Sequence, residues 1–192
     1  MRFQNWKKEI FTIPNLLSLF RLVLIPVYVV IYLDATEPSH YLVAGGILAV
    51  SCLTDLIDGK IARHFDMIST VGKILDPIAD KATQFALTLC LSLRYPVLRP
   101  VLALFVVKEC FQLTAGLVNL RRKKMLPGAL LAGKICTTVL FVSLILLVLI
   151  PTLPRNAVTA IAIIDSVFLT VSFISYIFAY FGKRKKIQDM EI

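Results

Sequence analysis

A chain of 192 residues with 58% hydrophobic content and a mean hydropathy of +0.81 has the composition of a membrane protein, which excludes an ordinary water-soluble globule. A net charge of +9 would suggest nucleic acid in a soluble protein, but these lysines and arginines sit mostly at the ends of apolar runs. They read as topology signals and anionic-lipid contacts, and no nucleic-acid partner is expected. Cys52, Cys90, Cys110 and Cys136 fall inside apolar segments without paired spacing, so they read as core residues and exclude a zinc or disulfide framework.

In chain order, residues 1–12 mix aromatic and basic side chains, with Trp6 suited to the lipid–water boundary, and predict a short segment lying on the membrane surface. A first membrane helix is expected over about 13–33, with Pro14 in its first turn. Its apolar run lacks a small-residue cleavage site and leads into further apolar segments, so it reads as a span rather than a removable leader. Arg21 lies roughly 12 Å into that helix at the usual rise per residue, and an arginine at such depth reads as functional. An acidic loop over 34–40 precedes a second helix at about 41–63, which carries Asp55, Asp58 and Arg63 near its end. A short turn follows, in which His64 reads as a solvated loop residue. The third helix, about 71–94, carries Asp76 and Asp80 near its start.

A fourth helix is expected over about 97–120, with Lys108 and Glu109 at its middle. Neighbours on a helix point about 100° apart, so these two need not pair. The fifth, about 128–150, has Lys134 near its start; the sixth, about 157–181, carries Asp165, for which a buried cation or a subunit contact is the expected partner. The prediction is therefore an all-α integral membrane protein with six transmembrane helices in one bundle, forming a single domain over residues 1–192. Arg2, Lys7, Lys8, Lys60, Arg63, Lys73, the run Arg121–Lys124 and the run Lys183–Lys186 fall on one side; Arg94, Arg99 and Arg155 fall on the other. The excess of positive charge places both termini and the acidic stretch at the cytoplasmic face of the cell membrane.

That acidic stretch is the most informative part of the chain. Asp55 and Asp58 are three apart and Asp76 and Asp80 four apart, so each pair shares one helix face. Bringing the two faces together would crowd like charges that cannot all stay ionised alone. Oxygen-only ligands favour hard divalent cations such as magnesium or manganese. Gly59 and Gly72 allow close approach of a backbone or ligand, and Arg63 is placed to take a phosphate.

The stretch fits D-x2-D-G-x2-A-R-x8-G-x3-D-x3-D at Asp55, Asp58, Gly59, Ala62, Arg63, Gly72, Asp76 and Asp80, and so resembles the signature of the CDP-alcohol phosphotransferases. The resemblance implies transfer of a phosphatidyl or similar group from a CDP-linked donor, CDP-diacylglycerol, to an alcohol, with release of CMP. It implies that Asp55, Asp58, Asp76 and Asp80 hold two divalent ions, Mg2+ or Mn2+, and that Asp80 also takes the proton of the attacking hydroxyl. Asp55, Asp58, Gly59, Ala62, Arg63 and Gly72 would form the CDP site, and a homodimer is implied.

Leu75 to Lys81 and the long apolar start look like the phosphatidylglycerophosphate synthases, whose acceptor is glycerol 3-phosphate. Arg21, Lys81, Lys108, Arg121 and Lys134 would meet that dianion if they converge. Those enzymes often carry Arg-Glu where this chain has Lys108-Glu109. Two other readings stay open at this point: a cardiolipin synthase, which takes phosphatidylglycerol, and a membrane cation transporter that uses the acidic cluster without chemistry.

Overall fold

The computed structural model describes residues 13–64, 72–121 and 131–188, with the side chains of 13–14, 38, 55–64, 73–74, 119–121 and 181–188 left aside. The expected surface segment at 1–12 lies outside the described residues. The elements are α1 (Ile13–Leu33), α2 (Pro38–His64), α3 (Gly72–Arg94), a 3-10 turn (Pro96–Leu98), α4 (Arg99–Arg121), α5 (Leu131–Leu149) and α6 (Arg155–Gln188), with no strand among the described residues. Pro96 and Pro100 flank the start of α4, where the first proline ends one run and the second fits an early helical position. α6 continues well past the apolar stretch, to Gln188 rather than about 181, because the basic tail has no proline or glycine breaker after Gly182.

Among the described residues four helical segments are long and apolar enough to cross a bilayer: Asn15–Leu33, Pro96–Val118, Leu131–Leu149 and Arg155–Tyr180. The expected number was six. In α2 the described apolar stretch is Ser39–Thr54, and the side chains that follow it lie outside the described residues. In α3 Asp76, Asp80 and Lys81 fall within the first turns and interrupt the apolar run.

The described residues form two compact units, one of residues up to Cys90 together with Val148–Pro151, the other of Leu91–Leu147 and the chain from Thr152 onward. In the first unit α1 packs lengthwise on α2. Tyr28 and Tyr32 stack one turn apart with ring centres 5.6 Å apart, and Tyr41 of α2 meets Tyr32 edge-on at 5.3 Å. Ala44, Leu48 and Ser51 form the buried face of α2, and a Cβ at Gly45 would come within 3.0 Å of Leu149, so the glycine admits the end of α5. Ala79, Ala86, Leu87 and Cys90 form the buried face of α3.

In the second unit the buried positions of α6 are Val158, Ala162, Asp165, Leu169, Ser172 and Tyr176, alternately four and three apart, which is one continuous seam. α4 packs along α6, where Phe111 meets Phe173 and Tyr180 edge-on at 5.4 and 5.9 Å. α5 closes on the same seam at Gly133, where a Cβ would stand 2.8 Å from a ring carbon of Tyr176. Cys90 and Cys136 are buried, as core residues should be, but Cys110 is exposed and Cys52 only half-buried. α4 turns Cys110 away from the seam that carries Val101, Phe105 and Lys108.

Polarity along α1 is inverted relative to a water-soluble helix. Asn15, Ser18 and Arg21 are buried at 3%, 0% and 3% exposure, whereas Leu16, Leu19 and Val23 are 45–57% exposed. Water would reverse that arrangement, since ordering apolar side chains outward and an arginine inward is unfavourable there. Hydrocarbon favours it, because leucine and valine are at home against lipid and a charge must turn inward to find a partner. The outward faces of α4, α5 and α6 are apolar in the same way, at Val107, Leu117, Val142, Val167 and Phe178 among others. The protein is a membrane protein.

Candidate active site

The inward polar face of α1 meets the start of α3. Asn15, Ser18 and Arg21 are spaced three apart, and Asp76 and Asp80 four apart, so each set lies along one side of its helix. Arg21 donates from Nη1 to Asp80 Oδ1 at 2.8 Å, and its Nη2 lies 4.0 Å from Asp76 Oδ1. The Ser18 hydroxyl donates to Asp76 Oδ1. Pro77, between the two carboxylates, contributes no backbone N–H, so one carbonyl a turn earlier has no helical partner at this end of α3.

The two sides of the contact differ in solvent access. The Arg21 side chain is 3% exposed, those of Asp76 and Asp80 are 46% and 51% exposed. Arg21 does not snorkel to the surface; it turns inward because two carboxylates wait there. One guanidinium faces two carboxylates in this group of three. An ionised carboxylate offers about four lone-pair sites. A half-exposed, all-oxygen donor set fits a hard divalent cation better than zinc, whose sites usually include nitrogen or sulfur.

Asp55, Asp58, Gly59, Ala62 and Arg63 lie on the last turns of α2, and their side chains are outside the described residues, as are those of His64 and Arg121. Among the described residues no set of three or more His, Cys, Asp or Glu is grouped as metal ligands. Gly72 is buried at the first position of α3.

The basic residues expected around an acceptor fall in different places. Arg21 and the half-buried Lys81 belong to the first unit, next to and on α3 respectively; Lys134 is exposed on α5. Lys108 belongs to the second unit, 3% exposed, where its Nζ donates to Glu109 at 2.7 Å and to Gln112 at 2.9 Å and stands 5.9 Å from the ring centre of Tyr176. Lys108 and Glu109 need not pair by helix geometry, yet they do: the four-carbon stem lets the ammonium fold back on its neighbour. Asp165 is fully buried with the Ser143 side chain set against its carboxylate, although neither oxygen makes a hydrogen bond of good geometry among the described residues. No cationic side chain is paired with it among the described residues of this chain.

Sequence reasoning missed Ser18, Gln112 and Tyr176. Ser18 carried a signal, since it lies one turn before Arg21 on the face that holds Asn15; Gln112 carried a weaker one, four residues after Lys108 on the same helix.

Residues 11–172 match the family model for CDP-alcohol phosphatidyltransferase. The chain belongs to that family. Among its relatives, a CDP-diacylglycerol–glycerol-3-phosphate 3-phosphatidyltransferase of Aquifex aeolicus is 35% identical over 136 residues, 70% of this chain and 73% of that one. A protein of Mycobacterium tuberculosis named a probable phosphatidylglycerophosphate synthase is 30% identical over 167 residues, 86% of this chain and 79% of that one. A cardiolipin synthase (CMP-forming) / mitochondrial hydrolase fusion protein of Schizosaccharomyces pombe is 37% identical over 125 residues, 64% of this chain but 20% of that longer protein. The family match includes all of the acidic stretch and all of the α1–α3 contact, so Asp76 and Asp80 stand in the CDP-alcohol phosphatidyltransferase domain itself.

Proposed function

We propose that this CDP-alcohol phosphatidyltransferase moves the phosphatidyl group of CDP-diacylglycerol to glycerol 3-phosphate, forming phosphatidylglycerophosphate and releasing CMP. The observation that supports the acceptor is coverage of this chain: the phosphatidylglycerophosphate-type and glycerol-3-phosphate-type relatives match 86% and 70% of it, the fission-yeast fusion protein 64%. A dianionic acceptor also suits a chain with net charge +9.

Asp55, Asp58, Asp76 and Asp80 are the residues that would hold two divalent cations, magnesium or manganese. When bound, such cations neutralise the charge that develops on the donor's diphosphate oxygens. Asp55, Asp58, Gly59, Ala62, Arg63 and Gly72 would seat the CDP moiety, with the glycines leaving room for the nucleotide and Arg63 paired to a phosphate oxygen. The acceptor hydroxyl loses its proton to Asp80 as its oxygen bonds to the donor's lipid-side phosphorus, and CMP departs with the electrons of the broken P–O bond. Arg21, Lys81, Arg121 and Lys134 are the cationic groups available to a phosphate monoester, whereas Lys108 is closed on Glu109 and Gln112. Six spans, with both termini and the acidic stretch on the cytoplasmic side of the cell membrane, let the lipid donor enter sideways and the soluble acceptor from the cytoplasm. The catalytic form is a homodimer.

The cardiolipin-synthase reading is favoured by the 37% identity of the fission-yeast protein. Purified protein with CDP-diacylglycerol and an acceptor panel decides between the two. CMP release with glycerol 3-phosphate and not with phosphatidylglycerol is expected; the reverse preference overturns the acceptor named here. Chelation should abolish CMP release, and magnesium or manganese, not zinc, should restore it.

A further inference from the structure

We propose that α1 sets the cation affinity of the acidic site through two residues of opposite effect. Ser18 orients Asp76 for a divalent cation, and Arg21 is a resident counter-charge with which a cation at Asp80 must compete. This rests on the reading of Asp76 and Asp80 as cation-holding carboxylates.

Ser18 is fully buried and spends its hydroxyl on Asp76 Oδ1, a partner 58 residues away on another helix. A hydroxyl fixed by packing fixes the carboxylate that accepts from it, and leaves the other lone pairs of that carboxylate open. It therefore holds a half-exposed side chain in one orientation before any ligand arrives. Such outer partners are positioning groups, and their loss typically weakens metal binding by about 10–100-fold.

Arg21 acts in the other direction. Its guanidinium keeps its charge under all ordinary conditions and, at 3% exposure, has little access to screening water. It lies 2.8 Å from Asp80 and 4.0 Å from Asp76, so any cation shared by these carboxylates sits within a few ångströms of a fixed like charge. Pairing with Arg21 lets two carboxylates one turn apart stay ionised without a cation, and the same pairing weakens the hold on a cation when it comes. An ion that must come and go is better served by that balance than by an uncompensated acidic cluster.

Direct Mn2+ binding to the full-length protein in detergent, measured from the spin-resonance signal of free Mn2+ without substrate, tests this. Wild type should bind Mn2+, and the Asp76→Asn/Asp80→Asn double variant should bind far less. No difference between them would sink the cation-site reading itself, and the present proposal with it. Given that difference, Ser18→Ala should weaken Mn2+ binding about ten-fold and Ser18→Thr should restore it. Arg21→Gln, which keeps a donor and removes the charge, should tighten binding about ten-fold, whereas Arg21→Lys should stay near wild type. A purely structural role for α1 predicts that Ser18→Ala and Arg21→Gln both weaken binding, and that result overturns the proposal. A role for Arg21 on the acceptor alone predicts unchanged Mn2+ binding and a raised KM for glycerol 3-phosphate, which overturns it equally. Where Arg21→Gln lowers the yield of folded protein, Ser18→Ala decides, since it removes a single hydroxyl; unchanged affinity there is a refutation.

Discussion

Arg21 in the first unit and Lys108 in the second are equally buried, at 3% exposure, yet their counter-charges are arranged in opposite ways. Arg21 reaches across to another helix and meets carboxylates that are about half exposed. Lys108 folds onto its own neighbour, Glu109, which is 15% exposed, and is completed by Gln112 and the face of Tyr176. The first arrangement leaves the carboxylates about half exposed, where a ligand can reach them. The second is closed: cation and anion satisfy each other within one turn of one helix, and little field escapes. Burial of charge in a membrane protein therefore does not by itself mark a reactive centre; what marks one is a buried charge whose partner still faces outward. The first unit holds that kind of pairing, which supports the active site proposed there, and Lys108 in the second reads as a brace for the α4–α6 seam.

The largest expected effect lies in the open centre. Asp80→Asn should lower the turnover rate by about 10²–10⁴-fold, with donor binding retained, if Asp80 accepts the proton of the acceptor. Asp58→Asn should weaken cation and donor binding together and be partly rescued by excess metal. Rates across a metal titration compare the two, and identical rescue curves would remove the special role of Asp80.

In the closed centre, Glu109→Gln should destabilise the protein by about 3–5 kcal/mol, because it strands a buried ammonium. Lys108→Met combined with Glu109→Gln should recover most of that loss, with activity per folded molecule near wild type. Thermal unfolding in detergent measures the first part. A raised KM for glycerol 3-phosphate in the double variant would break the comparison, by showing that Lys108 meets the acceptor after all.

A smaller effect is expected at Gly133. An added methyl would stand 2.8 Å from a ring carbon of Tyr176, so Gly133→Ala should cost about 1–3 kcal/mol by displacing the ring that covers Lys108. If unfolding is unchanged, the ring is free to move and the brace is looser than described. The smallest effect is a gain. Asp165 is fully buried with no well-formed hydrogen bond and no paired cation among the described residues, only the Ser143 side chain set against it, so Asp165→Leu should stabilise by about 1 kcal/mol, read from the same unfolding curves. Loss of activity without loss of stability there would mean that the second unit has an open centre too.

Composition and spacing by themselves determined that this is a helical membrane protein with an acidic stretch at its centre. Hydropathy is a sum over local residues, and the three- and four-residue spacings of the aspartates fix a shared helix face whatever the rest of the chain does. The same spacings carried the resemblance that the family match over residues 11–172 then established. Spacing did not reveal how many helices are apolar enough to cross on their own terms. Six hydrophobic runs were legible; four of the described helical segments are long and apolar enough on their own terms, and Asp80 and Lys81 interrupt the run of α3. Nor did it reveal what buried charges touch. Ser18 finds Asp76 and Arg21 finds Asp80 across 58 and 59 residues, while Lys108 finds the residue beside it. Cys110 faces outward although its surroundings in sequence are as apolar as those of Cys90 and Cys136. All of these depend on how each helix is rotated about its axis and which neighbour it meets. That rotation is set by packing between helices, which a single helix's sequence does not contain.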